Sequence, residues 1–279
     1  MRVTVVTSCS AEGWEKYGRR FAQTFARHWP ADIPLFVASE DPLGPEVYEL
    51  LRGRGGAMAA LSFLDLSLPW GAAHAFAQRH RDNRVAHGRE RRGGQAGWTV
   101  KKVAEGYNFR YDAFRFAKKV FAILAGQANA AGGWLLWIDA DVVTFADVTP
   151  DFLAQVLPAR AFALSCLDRG PYHSECGFVG YNLDCPPVRG FIRSFAGLYE
   201  SDQVFREAEW HDSYVFDQLR RRWELPAFAI PHLSHRAPFP NSILGSCMDH
   251  LKGGRKALGR TPDHEMVAGH QHPYWTRAA

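Results

Sequence analysis

The sequence predicts an α/β fold: a mostly parallel central sheet flanked by helices, built as a single domain. Three observations predict it. Short apolar runs alternate with helical spacings along the first half of the chain, the rhythm of a parallel, right-handed sheet. One run, Trp134-Leu135-Leu136-Trp137-Ile138, is unbroken, as suits a strand covered on both faces. It ends in Asp139-Ala140-Asp141, so two acids stand at the carboxyl end of a central strand, the edge where open α/β sheets bind ligands.

Arg2 to Thr7 reads as the first strand, running into a polar loop Ser8-Cys9-Ser10. Trp14, Tyr17, Phe21 and Phe25 follow at spacings of three and four, which gives a helix with one apolar face for the core. Ile33 to Ala38 is the second strand, and Pro45 opens a short helix to Leu51. Leu61 to Leu66 is the third strand. Arg79 to Val100 has no period and is rich in glycine and arginine, as a mobile flap would be. Tyr111 to Ala125 is helical again, with Phe114, Ala117, Phe121 and Leu124 inward and Arg115 and Lys119 four apart on one face.

After the Asp-Ala-Asp strand, Thr149-Pro150 supplies the cap and first position of a helix. Ala161 to Cys166 and Glu175 to Asn182 read as strands, and Pro187 to Tyr199 as a helix. Asp212 or Ser213 is the expected cap of a helix from Tyr214 to Arg222. Ala227 to Ile230 is the last short strand, and the remainder is loop-rich and histidine-rich.

Composition excludes several classes. At 279 residues, with 47% hydrophobic and 22% charged, the chain suits one large or two small globular domains. No stretch approaches the ~18 apolar residues of a membrane span, and the start lacks a signal-peptide layout. Five scattered cysteines without a CxxC pair argue against a zinc ribbon or a disulfide framework and for the reducing cytoplasm. From Arg79 to Lys119 there are twelve Lys/Arg against four Asp/Glu, a local +8 in a chain of net +4. That stretch suits an anionic partner: nucleotide phosphates, a lipid-linked acceptor or an anionic membrane. It carries no nucleic-acid reader motif, so no nucleic acid is expected.

In an extended segment residues two apart point the same way, so Asp139 and Asp141 can converge. Two hard oxygen ligands suit Mg²⁺ or Mn²⁺ bridging to a substrate phosphate. About a hundred residues on stands His250-Leu251-Lys252-Gly253-Gly254-Arg255-Lys256, a His-x-x-Gly-x-x-Lys motif. Taken together, the two motifs resemble those of the GT-A-fold glycosyltransferases, most closely family 8. The resemblance implies a transferase of the hexosyltransferase class. It would use Mn²⁺ (or Mg²⁺) and a nucleotide-sugar donor, a UDP-sugar, with a glycan, lipid-linked sugar or protein as acceptor. It also suggests retention at the anomeric carbon.

Residue by residue, the resemblance places metal ligation on Asp139, Asp141 and His250. It places donor contacts on Asp139 and Ala140, on Gly253 and Lys256 for the diphosphate, and on Thr7 and Ser8 for the base. Arg115 and Lys119 face the donor because their helix leads into the metal strand. Asp212, in Trp210-His211-Asp212, and Glu175 are the candidates for acceptor recognition or base work. The donor half would span about 1–145, the acceptor half and metal/phosphate loop about 146–279, and the flap about 79–105. The chain departs from the family in Ala257-Leu258, where Pro-Trp is usual, and in Glu175-Cys176-Gly177, where Asn-Ser/Thr-Gly is usual.

Two other readings remain open at this point. A haloacid-dehalogenase-type phosphatase would use Asp139 as nucleophile and Asp141 as acid/base. That motif normally sits on the first strand and needs a later Gly-Asp-x-x-x-Asp pair, which is not found here. A non-catalytic nucleotide-sugar binding protein would keep the fold without turnover.

Overall fold

Residues 1–41, 61–68, 71–91, 106–158 and 161–276 are described by a computed structural model. The short helix expected from Pro45 to Leu51 lies outside them, as does the flap beyond Arg91 up to Glu105.

The first strand, β1 (Val3–Cys9), is longer than expected. It keeps parallel partners as far as the pair Cys9 and Ser39 on β2 (Leu35–Ser39), so the anticipated polar loop is still strand. β3 (Leu61–Asp65) adds the outer parallel edge. The chain then returns to the other side of β1, where β4 (Trp134–Ile138) pairs in parallel, Val3 opposite Trp134. Winding outward and then reversing creates a topological switch point between the carboxyl ends of β1 and β4, the crevice where ligands bind in such sheets.

Beyond β4 the order continues with β7 (Glu175–Asn182), β6 (Leu164–Leu167) and β8 (Ala227–Ala229). β7 is antiparallel to both neighbours and the other pairings are parallel, so the seven-stranded sheet is mostly parallel as predicted. A second, two-stranded ribbon pairs β5 (Val142–Thr144) with β9 (Met248–His250). The sequence reading placed the last strand at Ala227; these two were missed because three residues carry no readable period.

Helices cover both faces, which is why every residue of β4 is buried. On one face, α4 (Ala113–Asn129) and α6 (Pro186–Glu200) pack Val120, Phe121, Phe191 and Phe195 against Leu135 and Trp137. α3 (Ala72–His80), which the sequence did not announce, joins them through Phe76. On the other face a continuous helical stretch passes from α1 (Ala11–Gly13) through a π turn at Trp14–Gly18 into α2 (Arg19–His28). It buries Trp14, Phe21 and Phe25 against Leu136 and Ile138, while Tyr17, expected in the same core stripe, is only half-buried. α5 (Pro150–Val156) starts as expected, with Thr149 accepting from Phe152 N.

The start of the expected flap has fixed local structure. Arg79 donates to the Glu200 carbonyl and to Asp202, and the turns to Arg91 are tied by Gly88, whose carbonyl accepts from Asn108 N.

Candidate active site

The two acids converge through a turn rather than through strand pleating. β4 ends at Ile138, Val142 N donates back to the Asp139 carbonyl at 3.0 Å, and β5 begins at once. β9 then lies antiparallel to β5 with His250 opposite Val142. This pairing carries the imidazole from the far end of the sequence to the acids. His250 Nε2 stands 3.0 Å from Asp141 Oδ1 and 3.4 Å from Asp139 Oδ2. Ligand atoms of the three side chains lie within 4.8 Å of one another.

The imidazole, 2% exposed, is gripped from all sides. The Phe239 ring is 5.5 Å away and Glu175 Oε1 is 3.6 Å from Nδ1. Gly177 on β7 lies so close that a Cβ there would be 2.6 Å from both Nδ1 and Cε1. Glycine is thus required at 177 for the ring to sit beside the acids. Burial works against a charge on His250, but Asp141, then Glu175 and Asp139, more than offset it and raise its pKa. The Asp141 carboxyl is held well below the usual range by His250 and Lys256 despite its burial.

Asp139 is fixed from behind. Its Oδ1 accepts from Trp137 Nε1 at 2.7 Å and from Lys119 Nζ at 2.9 Å, which leaves Oδ2 toward His250. Lys119 also donates to the Cys176 carbonyl at 2.6 Å and pairs with Asp212 Oδ2 at 2.7 Å. Its three protons are therefore all used, on Asp139, on Asp212 and on the Cys176 carbonyl. Burial would lower its pKa; Asp139 and Asp212 instead raise it, and Lys119 in turn keeps the buried Asp212 ionised.

Asp212 is the first residue of α7 (Asp212–Arg222) but does not cap it. The cap is His211, whose Nδ1 accepts from Tyr214 N, not the expected Asp212 or Ser213. The Asp212 carboxylate is thereby left for Lys119.

Other expected residues fall into three groups. Lys256, on α8 (Arg255–Leu258), is brought in: its Nζ is 2.9 Å from Asp141 Oδ2 and 4.3 Å from the Tyr17 ring centre. A shallow cavity of about 40 Å³ opens there, lined by Tyr17, Arg20, Asp141 and Lys256. Gly253 enters α8 with φ of +60°, the left-handed region that favours glycine. Thr7 and Ser8 lie near the end of β1 beside the switch point; Ser8 donates to Glu40, while the buried Thr7 hydroxyl has no partner among the described residues.

Ala140 is buried in the core, so only its backbone could meet a ligand. Arg115 is exposed and engages Tyr107 and Asp112 rather than the acids. Glu175 was expected to meet substrate as an acceptor-recognition or base carboxylate. The structure turns it inward: both oxygens pair with Lys252, at 3.1 and 3.2 Å, beside His250. Lys252 and His250 hold its carboxyl down to about 2 against the effect of burial. Lys252 itself was missed, though it lies inside the His-x-x-Gly-x-x-Lys motif.

No protein-family model matches the chain, and no curated protein matches it by sequence. Solved structures do. The chain is similar to an active-site mutant of LgtC, with a TM-score of 0.52 at 11% identity over 94% of this chain and 98% of that one. It is also similar to apo mouse xyloside xylosyltransferase 1 (0.48, 12% identity, 82% of this chain and 85% of that one). A third is the apo glycosyltransferase GlyE of Streptococcus pneumoniae (0.46, 11%, 82% and 45%). The chain has the GT-A fold of the glycosyltransferases: a single α/β domain with a mostly parallel seven-stranded sheet.

Proposed function

We infer that the protein is a metal-dependent glycosyltransferase that moves a sugar from a nucleoside diphosphate donor, a UDP-sugar, to a glycan, lipid-linked or protein acceptor. The observation that carries this reading is the meeting of Asp139, Asp141 and His250 at the switch point of a GT-A sheet. The donor set fits the ion: two carboxylates and one imidazole suit Mn²⁺ better than Ca²⁺. A carboxylate behind the imidazole, here Glu175, orients such a ligand. When bound, the metal would neutralise charge that develops on the departing diphosphate.

The chain's own residues supply the rest. Lys256 lies on the Asp141 side, where it can meet phosphate oxygens and add to that neutralisation. Thr7 and Ser8 border the place for the base, and Gly253 opens the loop toward the diphosphate. Lys119 holds Asp139 in place for the metal and Asp212 ionised, one hydrogen bond away on the acceptor side. Asp212 is the carboxylate to receive or orient the acceptor hydroxyl. Glu175 acts through His250. The phosphatase reading is not favoured, because Asp139 follows the fourth strand of a GT-A sheet and not the first.

The test is thermal unfolding with UDP, GDP and CMP, each with and without Mn²⁺. A ligand at 100 times its dissociation constant stabilises by ~2.7 kcal/mol. For a domain of this size that raises the midpoint by roughly 5–10 °C. The expected result is a shift that needs UDP and Mn²⁺ together and disappears in Asp141→Ala and His250→Ala. A shift retained by both variants, or none with any nucleotide, would overturn the assignment.

A further inference from the structure

A second cluster of metal-type ligands lies on the acceptor side, outside the site described above. His173 lies in the loop before β7; Glu209 and His211 stand in the loop before α7. Their ligand atoms also lie within 4.8 Å of one another, and among the described residues this and the Asp139 cluster are the two such groups. We propose that His173, Glu209 and His211 form a divalent transition-metal site of the zinc class, which ties the His173 loop to the start of α7.

The donor set selects the ion. Two imidazoles and one carboxylate suit Zn²⁺, Co²⁺ or Ni²⁺ and not Mg²⁺ or Ca²⁺, which demand oxygen. Bonds of about 2.0–2.2 Å at tetrahedral angles put neighbouring ligand atoms roughly 3.3–3.5 Å apart. The observed separations straddle that value: Glu209 Oε2 is 2.8 Å from His211 Nε2 and 3.8 Å from His173 Nε2. The longer of these exceeds a hydrogen bond, so His173 is not already tied to Glu209. The rings meet edge to face with centroids 5.4 Å apart.

The surroundings are those of a supported site. Arg110 Nη1 donates to the other oxygen of Glu209 at 2.8 Å and fixes its plane. Asp217 Oδ2 stands 3.9 Å from His173 Nδ1, on the far side of that ring, and is itself held by Ser174 N and Oγ. Such a carboxylate becomes the outer partner of a zinc imidazole once it closes to hydrogen-bond distance. His173 is about a third exposed and His211 is buried, so the cluster is reached from solvent on the His173 side.

His211 now accepts at Nδ1 from Tyr214 N over a long 3.4 Å and shares the Nε2 proton with Glu209. An ion takes the place of that proton at Nε2. The ring then carries its proton on Nδ1, and the weak capping bond is given up.

The experiment uses the chelator-stripped full chain carrying Asp139→Asn and Asp141→Asn, which disables the first site. It is titrated calorimetrically with Zn²⁺ and, for the visible spectrum, with Co²⁺. One ion per chain should bind, with the strong absorption of four-coordinate Co²⁺, and His173→Ala or Glu209→Gln should each weaken it at least tenfold. Both variants alter a loop, and they are read separately so that a folding defect in one does not decide the outcome. Absence of a bound ion in the Asn/Asn protein, or binding unchanged by both variants, would overturn the proposal and leave the UDP–Mn²⁺ reading untouched.

Discussion

Gly177→Ala isolates the role of His250 without touching a ligand. An added Cβ would lie 2.6 Å from Nδ1 and Cε1, roughly 0.8 Å short of the 3.4 Å at which ordinary contact begins. The ring has nowhere to retreat: it is fully buried, with Phe239 beside it and Glu175 close to Nδ1. A displacement of that size carries Nε2 away from its 3.0 Å approach to Asp141. Overpacking of this kind costs about 1–3 kcal/mol of stability. A misoriented ligand costs roughly 10–100-fold in metal affinity. Gly180→Ala is the control. It stands on the same strand, and its Cβ would meet Leu157 at 2.6 Å and Trp134 at 3.0 Å, far from any ligand. Both variants should lower the unfolding midpoint by roughly 2–10 °C. Calorimetric titration with UDP and Mn²⁺ should then show at least a tenfold loss for Gly177→Ala and less than a twofold change for Gly180→Ala. Equal affinities in the two folded variants would refute the assignment of His250 as a ligand.

Three further outcomes follow from the same geometry. Lys119→Met leaves two carboxylates, the half-buried Asp139 and the buried Asp212, without their shared cation; urea denaturation should show a loss of about 3–5 kcal/mol, partly recovered by adding Asp212→Asn. Asp212→Asn alone should reduce sugar-transfer turnover by roughly 10²–10⁴ while UDP–Mn²⁺ affinity measured by calorimetry stays near that of the parent. Asp249→Ala strands Thr261 N and the Thr261 hydroxyl, which donate to that buried carboxylate, and leaves the Tyr274 hydroxyl only the Gly259 carbonyl. Each stranded donor costs about 1–3 kcal/mol, and limited proteolysis should then cut the chain beyond Leu258.

What could be read from the sequence was what is encoded locally. The Trp134–Ile138 run is a central strand because five consecutive apolar residues can only be satisfied by cover on both faces. β7 begins and ends where its composition said, at Glu175 and Asn182. The three candidate metal ligands were legible because two motifs carried them, although the ribbon that joins them was not. β5 and β9 are three residues each, and what fixes them is remote: Leu251 N donates to the Asp141 carbonyl, and Asp249 is anchored by Thr261 and Tyr274. Glu175 misled for a related reason. A carboxylate among glycines in a strand looks available, and only the fold shows Lys252 closing over it.

The start of α7 shows how a failed local rule can be informative. Asp is among the best capping residues and Ser its equal, so Asp212-Ser213 ahead of a helical run reads as a cap. In the structure a histidine caps instead, through a long 3.4 Å bond. The helix therefore starts one residue early on a weaker cap, and what is gained is a carboxylate free of backbone duty. That carboxylate is buried, ionised and 2.7 Å from Lys119. Helix stability alone would not favour this arrangement, because an Asp212 cap satisfies the same N–H better and buries no charge. Departures from local preference that leave a charged group committed to a pocket are expected where a protein works. By that reasoning Asp212, more than Glu175, is the acid to test first for a part in sugar transfer.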